Sequence, residues 1–293
     1  MEWINAVLQG ILLGGLFALF ATGLSLAFGV MRFVNLAHGD LAILAAFLAV
    51  STTSALDLNP FVSLLIVVPI MAGLGYLLQR FVFNRTVSPD PLPSILVTFG
   101  LGVVIQNLLL EGYSADSQGL DVGSFETGSL TINSEIAVGW FPVLTLAIAL
   151  VVLIGLHLFL RRTRLGRAFR ATSDDPATAR LMGINDRNIY AVVMAIAFAT
   201  VALGGVFLGI RQTFGPGDGP TQLIFAFEAV VIGGLGSLWS TLLGGFILGV
   251  AQTVGNQIDV QFDFLSGPLF GHLIFLLVLA FRPSGLLGSA DRS

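Results

Sequence analysis

The sequence predicts an all-α protein, a polytopic bundle of about 8–10 transmembrane helices with short or broken helices in its C-terminal half. Charged residues make up only 10% of the 293 residues, whereas about a quarter is usual in a soluble domain. Hydrophobic residues make up 55%, and the mean hydropathy is +0.93. No soluble fold hides so much apolar surface, so lipid must surround most of the chain.

Apolar runs of the length that crosses a bilayer, about 20 residues, recur along the chain. The nine candidate spans are 6–30, 41–56, 60–83, 92–110, 140–160, 189–210, 223–235, 238–254 and 265–281. The second and the seventh to ninth are short, which makes them candidates for half-helices. No basic residue precedes Arg32, and the first run is too long for a cleavable signal peptide. We therefore expect one transmembrane domain over 1–293, with its first helix retained.

Arginine placement orients these spans. Threading nine of them puts 12 of the 13 arginines on one side and Arg211 alone on the other. Because basic residues are enriched in cytoplasmic loops, we expect an inner (plasma) membrane protein with its N-terminus outside and its C-terminus in the cytoplasm. The long loop 161–188 is then cytoplasmic and the long loop 112–139 periplasmic. Acidic residues mark the outer side: Asp57, Asp116, Asp121, Glu126, Glu135, Asp218, Asp259 and Asp263.

Two residue types are missing, and their absence excludes several functions. The chain has no lysine, which rules out a phosphate-binding P-loop and a Schiff-base cofactor. It has no cysteine, which rules out disulfides, iron–sulfur clusters and thiolate chemistry. No nucleophile–base pair or metal-binding helix motif is present, so we expect no enzyme activity, no cofactor and no metal. The basic segment is short and lies between membrane spans, so nucleic-acid binding has no support.

The loop 161–188 contains a predicted short helix, about 176–182. Asp175 is a good N-cap, Pro176 suits the first helical position, and Gly183 suits the residue after the last turn. Leu181 and Met182 would then be apolar and uncovered. Two interpretations remain open: a surface helix resting on lipid headgroups, or a docking element with apolar anchors for a soluble partner.

Polar residues occur at membrane depth in three places. Glu228 lies mid-span, where a charge is costly, so it either lines a pathway or is a buried, hydrogen-bonded acid that joins helices. Asn35, His38 and Asp40 follow the first span and either cap helix ends or line the inner mouth of a pathway. A glycine cluster separates two short apolar runs, which indicates a broken helix lining a cavity, or else close packing through small residues. Its members are Gly233, Gly234 and Gly236.

Four segments resemble the permeases of branched-chain amino acid ABC importers. They are 32–40 with its N-L-A-H-G sequence, the loop 164–185, the Gly-rich 227–239, and the ending 282–288. They occur in the family's order and span nearly the whole chain. The absence of extra N-terminal helices is similar to the shorter, H-type permeases. One departure is Glu228, where some relatives carry lysine.

The resemblance implies a permease subunit that imports branched-chain or other hydrophobic amino acids. It implies a second homologous permease, two cytoplasmic ATPases and an extracytoplasmic binding protein as partners. The implied ATPase-coupling residues are Arg167, Arg170, Asp175, Ala179, Leu181, Met182, Gly183 and Asn185. The expected pathway-lining residues are Asn35, His38, Glu228, Gly233, Gly234 and Gly236. The alternative hypothesis is a proton-coupled secondary transporter with Glu228 as its proton carrier.

Overall fold

A computed structural model of the chain describes residues 2–87, 90–123, 125, 128–133, 136–262 and 266–287. Its helices are α1 (Glu2–Met31), α2 (His38–Leu56), α3 (Pro60–Phe81), α4 (Leu92–Tyr113), α5 (Trp140–Arg162), α6 (Arg164–Asp174), α7 (Pro176–Leu181), α8 (Asp186–Arg211), α9 (Gly219–Gly233), α10 (Leu238–Phe262) and α11 (Gly267–Phe281), with a 3₁₀ turn at Phe83–Arg85. Two strands, β1 (Ser129–Asn133) and β2 (Ile136–Gly139), form an antiparallel hairpin. Glu126, Glu135, Asp263, Gly288 and Arg292, which the sequence analysis used, lie outside the described residues.

The all-α transmembrane architecture is confirmed. Within the described residues, seven helices are long and apolar enough to cross a membrane, and two shorter apolar helices are α9 and α11. These nine correspond to the nine predicted spans. The second and the eighth, both expected to be short, are long enough to cross: α2 has 19 residues and α10 has 25. The last turns of α10 are polar but have partners: Asn256 Oδ1 accepts from the Gly267 amide at 2.9 Å, and Gln257 Nε2 donates to Glu2 Oε2 at 3.1 Å.

Two buried helices, α1 and α8, form the centre of the bundle. α1 packs on α10 through glycines: a side chain at Gly10 or Gly14 would collide with the α10 backbone. A side chain at Gly249 of α10 would in turn collide with α1. Because small residues let helix backbones approach closely, this is the packing expected inside a membrane. The helices α3, α4 and α5 lie at the periphery with exposed apolar faces.

Helix α2 begins inside the bundle. Its first residue, His38, lies 2.8 Å through Nε2 from the carbonyl oxygen of Phe20, eleven residues before the end of α1. At 1.5 Å per residue that is about 16 Å back along α1. The segment 32–37 therefore re-enters the bundle before α2 starts.

Helix α9 begins beside the start of α2. Its first residue, Gly219, lies against Gly39 and against the carboxylate of Asp40, so a side chain at Gly219 would collide with Asp40. The segment 212–218 leads from the end of α8 back to this point. The helices α2 and α9 therefore start from one place, where their N-termini meet.

The connection between α4 and β1 folds over the end of α8. Gln118 and Phe214 exchange backbone hydrogen bonds of 2.9 Å each, and the Leu120 amide donates to the Gly209 carbonyl at 2.8 Å. The sequence predicted only a polar loop here. The hairpin β1–β2 that completes this connection was not predicted.

Candidate functional site

The segment 161–188 forms two helices, α6 and α7, between the long helices α5 and α8. We call α6 and α7 the coupling segment, after the role in ATPase coupling that the resemblance predicts for this loop. Asp175 is the N-cap of α7: its Oδ1 accepts from the amides of Ala177 at 2.9 Å and Thr178 at 3.1 Å. The Thr178 hydroxyl donates to Oδ2 at 2.5 Å and holds the pKa of the Asp175 carboxyl below its usual 3.8. Pro176 is the first helical residue, and Gly183 adopts the left-handed conformation at φ 83°. The predicted helix and both of its ends are confirmed.

The tip of α7 carries two exposed apolar side chains. Leu181 is 87% exposed and Met182 is 78% exposed, so neither packs on the rest of the chain. A soluble surface rarely leaves neighbouring large apolar residues this open without a use for them. Whether they contact headgroups or a partner stays a prediction.

The other predicted coupling residues divide between the two faces of the segment. Arg167 and Arg170 are exposed on α6. Ala179 is buried at 3%, on the inward face of α7, so it supports the tip and does not contribute to its surface. Asn185 is the N-cap of α8 and accepts from the Asn188 amide at 3.2 Å.

Helix α6 was missed by the sequence analysis. Thr163 is its N-cap and accepts from the Gly166 amide at 2.9 Å. Its buried residues Gly166, Phe169 and Thr172 are spaced by three, the pattern of an amphipathic helix, and that spacing was the available signal. At its end the Ser173 hydroxyl donates to the Gly29 carbonyl of α1 at 2.5 Å. The coupling segment is thus attached to the central helix.

Asn35 and His38 are buried, at 1% and 2% exposure. Asn35 Oδ1 accepts from the Ala37 amide at 3.1 Å, and so stabilises the turn that leads into α2. His38 joins α2 to α1, as described above. Both residues therefore act in this chain at helix starts, and their predicted place along a pathway stays a prediction.

Glu228 is buried on α9 and pairs with a histidine of α11. Its Oε1 lies 2.5 Å from Nδ1 of His272 on α11, and its side chain is 3% exposed. His272 also stacks on Phe225, one turn before Glu228. No sequence pattern linked these residues, because 44 positions separate them. The pair joins α9 to α11, and this agrees with the interpretation of Glu228 as a helix-joining acid.

The glycine cluster ends α9 and turns the chain into α10. Gly234 and Gly236 have φ angles of 117° and 85°, which other residues adopt only with strain. Gly236 lies against Gly29, close to the end of α1. The amides of Leu286 and Leu287 donate to the carbonyls of Ile232 and Gly233 at 2.9 and 3.0 Å. The glycines therefore form a tight turn between two helices that pack side by side, since a side chain at Gly233 would collide with the Ser240 backbone of α10. This agrees with close packing through small residues, and a role in lining a pathway stays a prediction.

Among the described residues, no group of three or more His, Asp or Glu side chains is arranged to hold a metal ion. The features that stand out are a glycine-packed membrane bundle, two helices, α2 and α9, that start beside each other inside it, and an exposed helix tip on the arginine-rich side. Together they define a polytopic α-helical membrane protein.

Comparison with known proteins identifies the family. The family model of the branched-chain amino acid transport system permease component matches residues 6–281. The chain is 30% identical to the high-affinity branched-chain amino acid transport system permease protein BraD of Pseudomonas aeruginosa, over 99% of this chain and 97% of that protein. It is 29% identical to LivH of Salmonella typhimurium over the same shares, and 26% identical to LivM of Escherichia coli over 93% of this chain and 68% of LivM. The chain belongs to the family of branched-chain amino acid transport permeases.

Proposed function

We propose that the chain is the membrane-spanning permease subunit of an ATP-driven importer of branched-chain or other hydrophobic amino acids. It has no catalytic activity of its own, and separate ATPase subunits drive it through the loop 161–188. Family membership supports the transport role, since the relatives BraD and LivH are named as branched-chain amino acid permeases. The missing lysine supports a separate ATPase, because the P-loop that holds ATP contains one.

The observation that carries the ATPase coupling is the exposed tip of α7. Leu181 and Met182 are held at the end of a capped helix, and Ser173 fixes the preceding helix to α1. A rigid element with apolar anchors transmits a push from a docked protein into the bundle, whereas a loose loop would absorb it. Exposed apolar anchors on a segment that also presents exposed arginines, Arg167 and Arg170 on α6, have the composition of a protein-docking surface.

The partners follow from this role. Two cytoplasmic ATPases dock on the coupling segments of two permeases, and an extracytoplasmic binding protein delivers the amino acid. The second permease is a homologous subunit, and the similarity to LivM as well as LivH supports such pairing within one family. The arginine distribution supports a cytoplasmic position for the coupling segment and the C-terminus, with the N-terminus outside the inner membrane.

The proton-coupled alternative has less support. A permease component, as the family is described, works with other subunits, whereas a secondary transporter needs none. Glu228 is also engaged by His272 and 3% exposed, which favours a structural acid over a carrier that alternates between two compartments.

The test replaces the two exposed apolar side chains of the tip, which do not contribute to the packing of the fold. In the complex with its partner subunits, Leu181→Ser together with Met182→Ser should abolish uptake and ATPase co-purification while membrane insertion stays normal. The matched control is Leu165→Ser, an apolar residue of the same segment that is exposed but lies on α6, and it should leave both readouts near wild type. Full uptake by the double variant would overturn the coupling role of the tip.

A further inference from the structure

A cavity of about 670 Å³ lies on the arginine-rich side, beside the coupling segment and apart from its exposed tip. Three parts of the chain build its wall. They are the end of α1 with the residues after it (31–34), the described parts of the connection between α3 and α4 with the start of α4 (84–87 and 91–95), and the start of α7 to the start of α8 (176–190). A ligand here would touch all three.

The described wall of this cavity is positively charged. Arg32, Arg180 and Arg187 line it, and Asp186 is the acid among its described residues. Arg180 is neutralised, since its guanidinium lies 2.8 Å from the Asp186 carboxylate. Arg32 and Arg187 form no ion pair with any residue in the ranges that the structure describes. Two arginines that form no ion pair with the described residues give this concave site a positive electrostatic potential, which attracts an anion.

Arg32 is held in this wall by an unusual backbone. Its φ is 50°, the left-handed region that side-chain-bearing residues seldom occupy. This turn is what sends the chain from α1 back into the bundle. Asn84 Nδ2 donates to the Arg187 carbonyl at 3.2 Å, which anchors the α3–α4 connection to the start of α8. The two arginines thus approach one cavity from separately fixed elements.

Much of the remaining wall is apolar and continues towards lipid, beside the polar side chains of Asn84, Ser94 and Tyr190. Phe33 and Ile95 line the cavity. Leu92 and Phe99 lie three residues before and four residues after Ile95, on the same side of α4, and each is 60% exposed. A small inorganic anion would leave this apolar wall uncovered. An amphiphile with an anionic head covers both parts.

We propose that the cavity binds the phosphate headgroup of an anionic phospholipid from the leaflet on the arginine-rich side. Arg32 and Arg187 contact the phosphate, and an acyl chain follows the exposed face of α4 past Leu92 and Phe99. Basic pockets between membrane helices on this side are suited to such headgroups. Because the lipid would touch α1, α4 and the start of α8 at once, its binding fixes their relative positions next to the coupling segment.

The test measures lipid retention by the purified full-length chain, with its partner subunits, in nanodiscs of phosphatidylcholine with increasing phosphatidylglycerol. Native mass spectrometry counts bound phosphatidylglycerol. Arg32→Gln and Arg187→Gln should each weaken binding about fivefold, and the double variant about 30-fold, as expected for about 1 kcal/mol per basic residue at an anionic surface. The matched control is Arg85→Gln, an exposed arginine on the same side that does not line the cavity, and it should bind like wild type.

Each remaining outcome decides the proposal. Wild-type binding by the double variant overturns it, as does equal competition by added inorganic phosphate, which would indicate a free-anion site. A double variant that keeps the lipid but loses the ATPase would assign the cavity to a partner protein instead. If the double variant does not fold, Arg32→Lys with Arg187→Lys, which keeps both charges, must still bind phosphatidylglycerol and single Arg32→Gln must weaken it. Failure of either result overturns the proposal.

Discussion

The Ser173 hydroxyl lies 2.5 Å from the carbonyl oxygen of Gly29 and donates a hydrogen bond to it, across 144 residues of sequence. This contact attaches the last turn of α6 to the end of α1. Since α1 is the helix around which much of the bundle packs, a displacement of the coupling segment reaches the centre of the protein in one step. The contact therefore offers a place where transport and ATP hydrolysis can be separated experimentally.

Ser173→Ala removes this bond, at a cost of about 1 kcal/mol. We expect the variant complex to hydrolyse more ATP per amino acid imported, because the coupling segment moves with less of α1. Reconstituted liposomes allow both quantities to be measured together. The control is Thr172→Val at the neighbouring position, where the buried hydroxyl has no hydrogen-bond partner among the described residues. Its loss should be neutral or slightly stabilising, and an unchanged ratio in Ser173→Ala would contradict the role of the contact.

Substitutions of Asp175 test whether the N-cap of α7 supports ATPase docking and whether docking depends on pH. Its pKa is lowered by the Thr178 hydroxyl, so its contribution to helix order is fully present above the unfolded value of 3.8 and is lost as the pH falls through the lower folded pKa. Between about pH 5 and pH 8 the Asp175 carboxyl stays ionised, so its titration should not change ATPase docking. Asp175→Ala should weaken docking at every pH in that range, while Asp175→Asn, an equally good cap, should restore it. Binding of the ATPase to immobilised permease gives the readout, and docking that varies with pH in wild type but not in Asp175→Asn would refute the prediction.

Substitutions of Glu228 distinguish a structural role of its carboxyl group from a role in transport. Glu228→Gln keeps the size and can still hydrogen-bond His272, so we expect near-normal uptake and stability. Glu228→Ala leaves a gap and an unpartnered imidazole, and should lower the free energy of unfolding by about 1–3 kcal/mol. Thermal unfolding in detergent and uptake in vesicles measure the two effects. Complete loss of uptake in a well-folded Glu228→Gln variant would instead revive the proton-carrier hypothesis.

Gly219→Ala tests the meeting point of α2 and α9. The added methyl would collide with the Asp40 carboxylate, and overpacking of this kind costs about 1–3 kcal/mol. Gly217→Ala, two residues earlier, has open space around its new side chain and should change the unfolding temperature little. Equal unfolding temperatures for the two variants would mean that the helix starts are not packed as described.

The sequence analysis was most successful where a local pattern decides the structure. The apolar runs located nine apolar helices in the right order, seven of them long enough to cross a membrane, because hydrophobic length is the property that selects membrane helices. Asp175, Pro176 and Gly183 marked both ends of α7, because capping depends on a few neighbouring residues. Helix α10 is longer than predicted, because Asn256 and Gln257 form hydrogen bonds to other helices. A hydropathy profile contains no information about such partners.

Only the tertiary structure decided which distant residues meet. The pairing of Glu228 with His272, the contact of Gly219 with Asp40 and the cavity between Arg32 and Arg187 each join segments that are far apart in the chain, and no local spacing records them. The arginine-rich segment was recognisable from sequence as one loop with one exposed helix, since charge and caps are local properties. Its attachment to α1 through Ser173 depends on how α6 folds back against the bundle, and that is set by packing.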